Sequence, residues 1–250
     1  MKPYVGITGV RSKVELDSLK RLIESYGLPS SHQLMVGVLT SYKGLSRGIL
    51  ADSHQYVLPK DVETVFIEDS RMLNLLHYNS RAGSLMMQLE DILSDTVLCD
   101  GVQLNIAWPP PAELKRWRER SRARITLQVS ARAYAEVGTA PDRLVKRLAA
   151  YEGLVDAVLL DMSGGLGREI DGTEAQLVLR AFLKARLTMK FGVAGGLTYR
   201  NLHEVLTPIR DLYPGLSFDA QARLRSASTK TLDLDLCERY IAAAVQLLLD

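Results

Sequence analysis

Two aspartates close apolar runs in this chain, each followed by residues able to hold an anion. Asp161 ends Val158-Leu159-Leu160 and precedes Gly164-Gly165-Leu166-Gly167. Asp219 ends Leu216-Ser217-Phe218 and precedes Gln221 and Arg223. A carboxylate at the end of a buried strand must face a cavity or a partner, because desolvating it alone is expensive. In a half-buried mouth its proton affinity tends to rise, which suits a general acid. The structural alternative is a helix N-cap, or an acid paired with Arg or Lys, and it weighs more at Asp219 than at Asp161. A third apolar run, Val193-Ala194, ends in Gly195-Gly196. Glycines let backbone N–H groups converge on an anion, and a helix beginning after Thr198 adds its dipole. A glycine pair is also simply what a turn needs.

The other polar residues at the ends of apolar runs are Thr8 and Gly9, Thr40 and Ser41, Asn79, Asn105, Ser130 and Ser163. None of them forms a His/Cys/carboxylate cluster at metal-ligand spacing, so neither a metal nor a cofactor is expected. His32, His54, His77 and His203 are scattered. His77 alone lies in a run that could carry it to such a site, although a hydrogen-bonded core histidine is the commoner outcome. Met86 and Met87 read as helix core, and Cys99 and Cys237 as packing residues. The segment 115–124 carries six basic residues around Trp117. Their positions are not confined to one helical face, so a solvated outer helix is favoured over a nucleic-acid contact.

These residues need a scaffold, and the periodicity supplies one. Short β-branched runs at 4–9, 33–40, 73–79, 101–106, 124–130, 156–162, 189–195 and 216–220 read as strands. Several are nearly continuous apolar runs, the mark of strands covered on both faces in a parallel sheet. Amphipathic stretches alternate with them. Residues 12–26 open with the capping box Ser12-Lys13-Val14-Glu15, and 173–186 with Thr173-Glu174-Ala175-Gln176. Residues 109–120 and 141–151 begin at prolines, tolerated where a helix N–H lacks a partner. Residues 232–249 place Leu234, Cys237, Ile241, Val245 and Leu248 on one stripe. Eight strands alternating with helices in 250 residues predict an α/β fold, a single-domain (β/α)8 barrel over 1–250. A doubly wound open sheet is the alternative. In the barrel, the polar residues and glycines that end the apolar runs fall at the C-terminal ends of the strands, where such barrels place their sites. The least regular segment, about 41–71, holds Gly44, Gly48 and Pro59 and reads as a long functional loop with its helix.

Composition narrows the function class. Thirty-one Lys+Arg against 29 Asp+Glu leave a formal net charge of +2, too balanced to suggest a nucleic-acid or membrane-surface protein. Two cysteines exclude a disulfide scaffold. No apolar run approaches the ~18–20 residues of a spanning helix, and the opening residues lack a secretory h-region. A cytoplasmic protein, monomeric or homodimeric, is expected.

The order of motifs resembles phosphoribosylanthranilate isomerase over nearly the whole chain. Val5-Gly6-Ile7-Thr8 is similar to the family's Lys-Ile-Cys-Gly-Ile-Thr. Ser53-His54-Gln55-Tyr56-Val57-Leu58-Pro59 is similar to its Ser-Pro-Arg-x-Val-x-Pro. Gly101-Val102-Gln103-Leu104-Asn105 is similar to its Val-Gln-Leu-His-Gly. The sixth-strand Leu159-Leu160-Asp161 with its glycine loop, and Ala194-Gly195-Gly196-Leu197-Thr198 with Asn201, carry the more specific likeness. Ser217-Phe218-Asp219 falls where the family has Val-Asp-Val-Ser-Ser-Gly-Val-Glu.

The resemblance implies an Amadori rearrangement of a phosphoribosyl amine without cofactor, with Asp161 as general acid opening the sugar ring. It places the family's cysteine base at Val5, which cannot take a proton. It places the arginine holding the substrate carboxylate at Gln55, or at Arg47 if the loop realigns, and the histidine after Gln-Leu at Asn105. Phosphate would rest on Gly164, Gly165, Gly167, Gly195 and Gly196, with Arg223 replacing the last Ser-Gly loop through its paired donors. Gln103, Asn105, Gln55, Arg47 and Asn79 would face the rest of the substrate. Asp219, or Asn79 or Asn105 through water, would supply the missing base. The expectation is an isomerase acting on a phosphorylated sugar or phosphoribosyl derivative. Its alternative is a barrel that binds a phosphorylated ligand and has lost turnover.

Overall fold

The computed structural model describes residues 2–50, 55–81, 83–163 and 169–250. Its centre is a closed barrel of eight parallel strands in sequence order. They are β1 (Tyr4–Thr8), β2 (Gln33–Ser41), β3 (Met72–Asn79), β4 (Gly101–Leu104), β5 (Arg124–Ser130), β6 (Ala157–Asp161), β7 (Lys190–Ala194) and β8 (Ser217–Ala220). The ring closes where Gly6 of β1 pairs with Asp219 of β8. The (β/α)8 barrel expected from the alternation is therefore the fold, and the open sheet is excluded.

Helices form the outer layer: α1 (Lys13–Tyr26), α2 (Tyr42–Arg47), α3 (Leu85–Leu93), α4 (Pro111–Arg118), α5 (Ala131–Glu136), α6 (Pro141–Leu148), α7 (Gly172–Lys184), α8 (Leu202–Leu212) and α9 (Leu234–Leu249). Outward strand residues such as Leu34, Val36 and Val38 are fully buried beneath them. Each such side chain contributes roughly 1.5–3 kcal/mol by leaving water. Ser12 caps α1 as expected, accepting from Glu15 N at 3.2 Å. The second expected cap is displaced: Asp171, not Thr173, accepts from the amides of Thr173 and Glu174, at 2.9 and 3.1 Å. A carboxylate also complements the helix dipole. On α9 the buried stripe runs through Cys237, Tyr240, Ile241, Ala244, Val245 and Leu247. Leu234 is exposed and Leu248 half-buried, so the expected stripe was misplaced at both ends. Met87 is 59% exposed, against the expectation of helix core; only Met86 packs on the core.

Inside the barrel the strands alternate between two chemistries. Tyr4, Met35, Leu73 and Leu75 form a separate apolar cluster. Further along the strands, toward their C-terminal ends, the inward positions turn polar: Thr8, His77, Gln103, Gln128, Asp161 and Asp219. Two in-strand glycines make room for them. A Cβ at Gly6 would stand 2.7 Å from Asp219 Oδ1, and one at Gly37 would stand 2.5 Å from Thr8 Oγ1 and 2.8 Å from His77 Nε2.

The described residues after β2 include the helix expected in that segment. It is α2, whose amide at Gly44 donates to the capping Ser41 hydroxyl at 3.4 Å. Val57 N–H then returns to Leu39 O at 2.9 Å, and Pro59–Thr64 form a 3-10 turn.

Candidate active site

Asp161 and Asp219 reach the same small cavity from β6 and β8, joined in its lining by Ser163, Ala194, Gly195, Gly196, Gln221 and Ala222. The cavity measures about 20 Å³, room for about one water. Both carboxylates are buried, at 7% and 5% exposure.

Their surroundings differ. Asp161 accepts from Gln128 Nε2 at 2.6 Å, from Ser163 N at 2.9 Å and from Ser163 Oγ at 2.6 Å. Three donors converging on one carboxylate suit its charged, proton-accepting form. Asp219 is met by the Thr8 hydroxyl, 3.0 and 2.9 Å from its two oxygens. Burial pushes Asp219 up to about 8; the Thr8 hydrogen bond partly opposes this and the charge of Asp161 adds to it. A buried carboxyl with raised proton affinity, sharing a cavity with a second carboxylate that accepts several hydrogen bonds, is an arrangement acid–base chemistry can use.

The two aspartates are also joined around the barrel interior. From Asp161 the chain runs to Gln128, whose Oε1 lies 3.3 Å from Gln103 Nε2. Gln103 Nε2 is 3.2 Å from Asn105 Oδ1 and 3.3 Å from His77 Nδ1. His77 Nδ1 is 3.4 Å from Thr8 Oγ1, which touches Asp219. Burial holds His77 down to about 3, so the imidazole is neutral at physiological pH. His77 Nε2 and Gln103 Oε1 are buried with no hydrogen-bond partner.

The loop after β7 is a built turn. Gly195 and Gly196 have φ of 125° and 60°, values that disfavour any side chain. Asn201 ties the turn, accepting from Thr198 N at 2.8 Å and donating to Gly196 O at 3.1 Å.

The remaining sequence candidates divide by place. Gln103 belongs to the interior chain at 2% exposure, so it supports the site from behind. Asn105 accepts its amide at the rim. Gln55 accepts from Gln221 Nε2 at 3.0 Å, linking the β2 side of the mouth to the loop after β8. Asn79 is exposed and lines a cleft of about 500 Å³ at the ends of β2 and β3, with Ser41, Tyr42, Lys43, Tyr56, Ser80 and Arg81. Arg47 is exposed in the last turn of α2, and Arg223 is exposed in the 3-10 turn 222–224. Gly164, Gly165 and Gly167, with Ser53 and His54, lie outside the described residues. Ser130 is used locally, capping α5 through Ala133 N at 3.3 Å.

Val5, which the resemblance aligned with a catalytic base, is buried in the cluster shared with the helices. Its inward neighbours are Gly6 and Thr8, so position 5 belongs to the outer layer. Gln128 was not singled out from sequence, and Thr8 was noted only as a strand-end residue. The period-two pattern that sets both on the face of Asp161 and Asp219 was the signal for them.

Within 115–124, Arg116, Arg118 and Arg120 pair with Glu113, Asp156 and Glu90. Among the described residues, no cluster of three or more His, Cys, Asp or Glu could hold a metal ion. No helix among them is long and apolar enough to cross a membrane. No protein-family model matches the chain, and no curated protein matches it.

Proposed function

We propose that this barrel isomerises a phosphorylated sugar or phosphoribosyl derivative by acid–base proton transfer of the Amadori type, as in phosphoribosylanthranilate isomerase. The observation that carries the reading is the meeting of Asp161 and Asp219 at one cavity beside Gly195-Gly196, with their environments set apart. The glycine turn would receive the phosphate. The cleft holding Lys43, Arg81, Tyr42 and Tyr56 would take the rest of the substrate, where two cations and two aromatic rings suit a planar, anionic group.

The residues divide the work as follows. The acid protonates the ring oxygen as the ring opens, and the base removes the proton from the adjacent carbon. The resemblance assigns the acid to Asp161. The surroundings favour the reverse: Asp219 carries the proton at neutral pH and donates it, and Asp161, held by three donors, receives one. The closing proton transfers would return the pair to its starting state.

A direct assay tests this. Phosphoribosylanthranilate is fluorescent, and its loss would be followed with the parent protein and with Asp161→Asn. Turnover by the parent, reduced ~10²–10⁴-fold in the variant, is expected for loss of one acid–base group. No turnover from folded protein would reject the reaction. The second reading, a phosphate-ligand barrel without turnover, draws on the outer-layer position of Val5 and on the small cavity between the carboxylates. It would show as thermal stabilisation by phosphorylated sugars with no product formed.

A further inference from the structure

The other end of the barrel holds a second cleft, of about 470 Å³, between the start of β2, the residues leading into β3 and the turn before β4. Ligand sites commonly have such volumes. Its walls carry three carboxylates, Glu68, Asp69 and Asp100. Asp69 is already matched by Lys20 at 3.1 Å and by Arg71 at 2.8 Å. Glu68 and Asp100 form no ion pair with a described residue. Glu63 accepts from Leu98 N of the same turn at 3.2 Å and adds further negative charge.

The side-chain amides of this cleft spend their donors on its own backbone. Asn74 Nδ2 donates to Ile67 O at 2.8 Å and to Leu98 O at 2.9 Å. Gln33 Nε2 donates to Ser70 O at 3.0 Å and to Met72 O at 3.1 Å. A carbonyl only accepts, so neither amide can be reversed without setting oxygen against oxygen. Asn74 Oδ1 is thereby fixed as an acceptor, and it is buried with no partner on a residue only 4% exposed. A buried acceptor left unserved is costly. Asp100 stands beside it, its Oδ2 accepting from Asn74 N at 2.8 Å. What these walls lack is a donor that brings positive charge. Val97, 87% exposed, and the half-buried Ile67 add apolar surface. We propose that this cleft binds a primary alkylammonium group. An ammonium offers three donors and no acceptor, which complements Asn74 Oδ1 and the carboxylates of Asp100 and Glu68. Its alkyl chain would lie on Val97 and Ile67. Among the described residues the carboxylates do not converge into a cluster that could hold a metal ion, and an amine with a flexible chain does not need them to.

This site is independent of the proposed isomerisation, and its test needs no substrate of that reaction. 1,5-Diaminopentane would be titrated into 15N-labelled protein at neutral pH and low ionic strength. Saturable shifts should appear at the Asn74 side-chain amide and the Leu98 backbone amide. Glu68→Gln and Asp100→Asn each remove a charge and keep the shape. Each should weaken binding ~10-fold or more, the loss of one charge-assisted hydrogen bond. Asp100 also holds Asn74 N, whereas Glu68 is exposed, so Glu68→Gln reads the charge with the fold undisturbed. Pentane-1,5-diol, of the same length and uncharged, should not bind. A second titration with Nα-acetyl-lysine methylamide separates the two sources of such a group. Binding of the diamine alone marks a free amine, and binding of the lysine derivative marks a side chain carried by a partner. No saturable binding of either amine would overturn the proposal. So would shifts spread over the whole acidic surface, an affinity unchanged in either folded variant, or equal binding of the diol.

Discussion

Replacing Asp219 with asparagine should stabilise the protein at neutral pH and remove part of its pH dependence. In the unfolded chain this carboxyl ionises near its ordinary value of 3.8, whereas in the barrel it holds its proton up to about 8. A folded-state value raised in this way gives a contribution that is complete at low pH and lost as pH climbs toward 8. At ~1.4 kcal/mol per pH unit, the loss relative to acid conditions reaches about 4 kcal/mol at pH 7. His77 acts in the opposite sense. Held down to about 3 against an ordinary 6.5, its contribution is complete above 6.5 and is lost as pH falls toward 3. The two slopes cancel between about pH 4 and 6.5, and above that only the Asp219 slope remains. The parent protein should therefore lose about 2 kcal/mol between about pH 6.5 and 8. Asp219→Asn keeps the shape and a hydrogen-bonding group beside Thr8 but has nothing to ionise. Its stability should be flat over that interval and exceed that of the parent increasingly as pH rises. Urea unfolding of both proteins at several pH values reads this directly. Parallel slopes would refute the assignment of the raised value to burial at Asp219.

Gly37→Ala should cost ~1–3 kcal/mol in urea unfolding, because its Cβ would sit 2.5 Å from Thr8 Oγ1 and 2.8 Å from His77 Nε2. An unchanged midpoint would mean that the interior has slack the packing does not show. Asp171→Ala should lower stability by ~1 kcal/mol through loss of the α7 cap, and Thr173→Ala by much less. Equal losses would return the cap to Thr173.

Much of the scaffold was legible because its strands are buried on both faces. Runs such as Val158-Leu159-Leu160 or Gln33–Thr40 stand out without reference to partners, and β5 was bounded correctly at 124–130. That density also concealed the site. Gln103, Gln128, His77 and Thr8 alternate with apolar residues; Gln103, His77 and Thr8 stood out one by one, but their shared inner face and Gln128 did not. Gly6 and Gly37 looked like incidental strand glycines because the side chains they accommodate come from other strands, far away in sequence. Asp161, Asp219 and Gly195-Gly196, which line one cavity, stood out because a strand end followed by polar residues or glycines is a local signal. Arg225 was missed entirely. It is buried over β1, where its Nη2 donates to Gly9 O at 3.2 Å and its Nη1 to Lys230 O at 3.0 Å, contacts no local pattern announces. At α7 a Thr-x-x-Gln pattern masked the stronger cap two residues earlier.

The most direct measurement is kcat/KM with phosphoribosylanthranilate between about pH 6 and 9.5, for the parent protein and Asp219→Asn together. With Asp219 as the proton donor, parent activity should fall above about pH 8 as that carboxyl ionises, and the variant should be slower by ~10²–10⁴-fold. A folded parent with no turnover, or an Asp219→Asn protein as fast as the parent, would contradict the proposed acid–base pair.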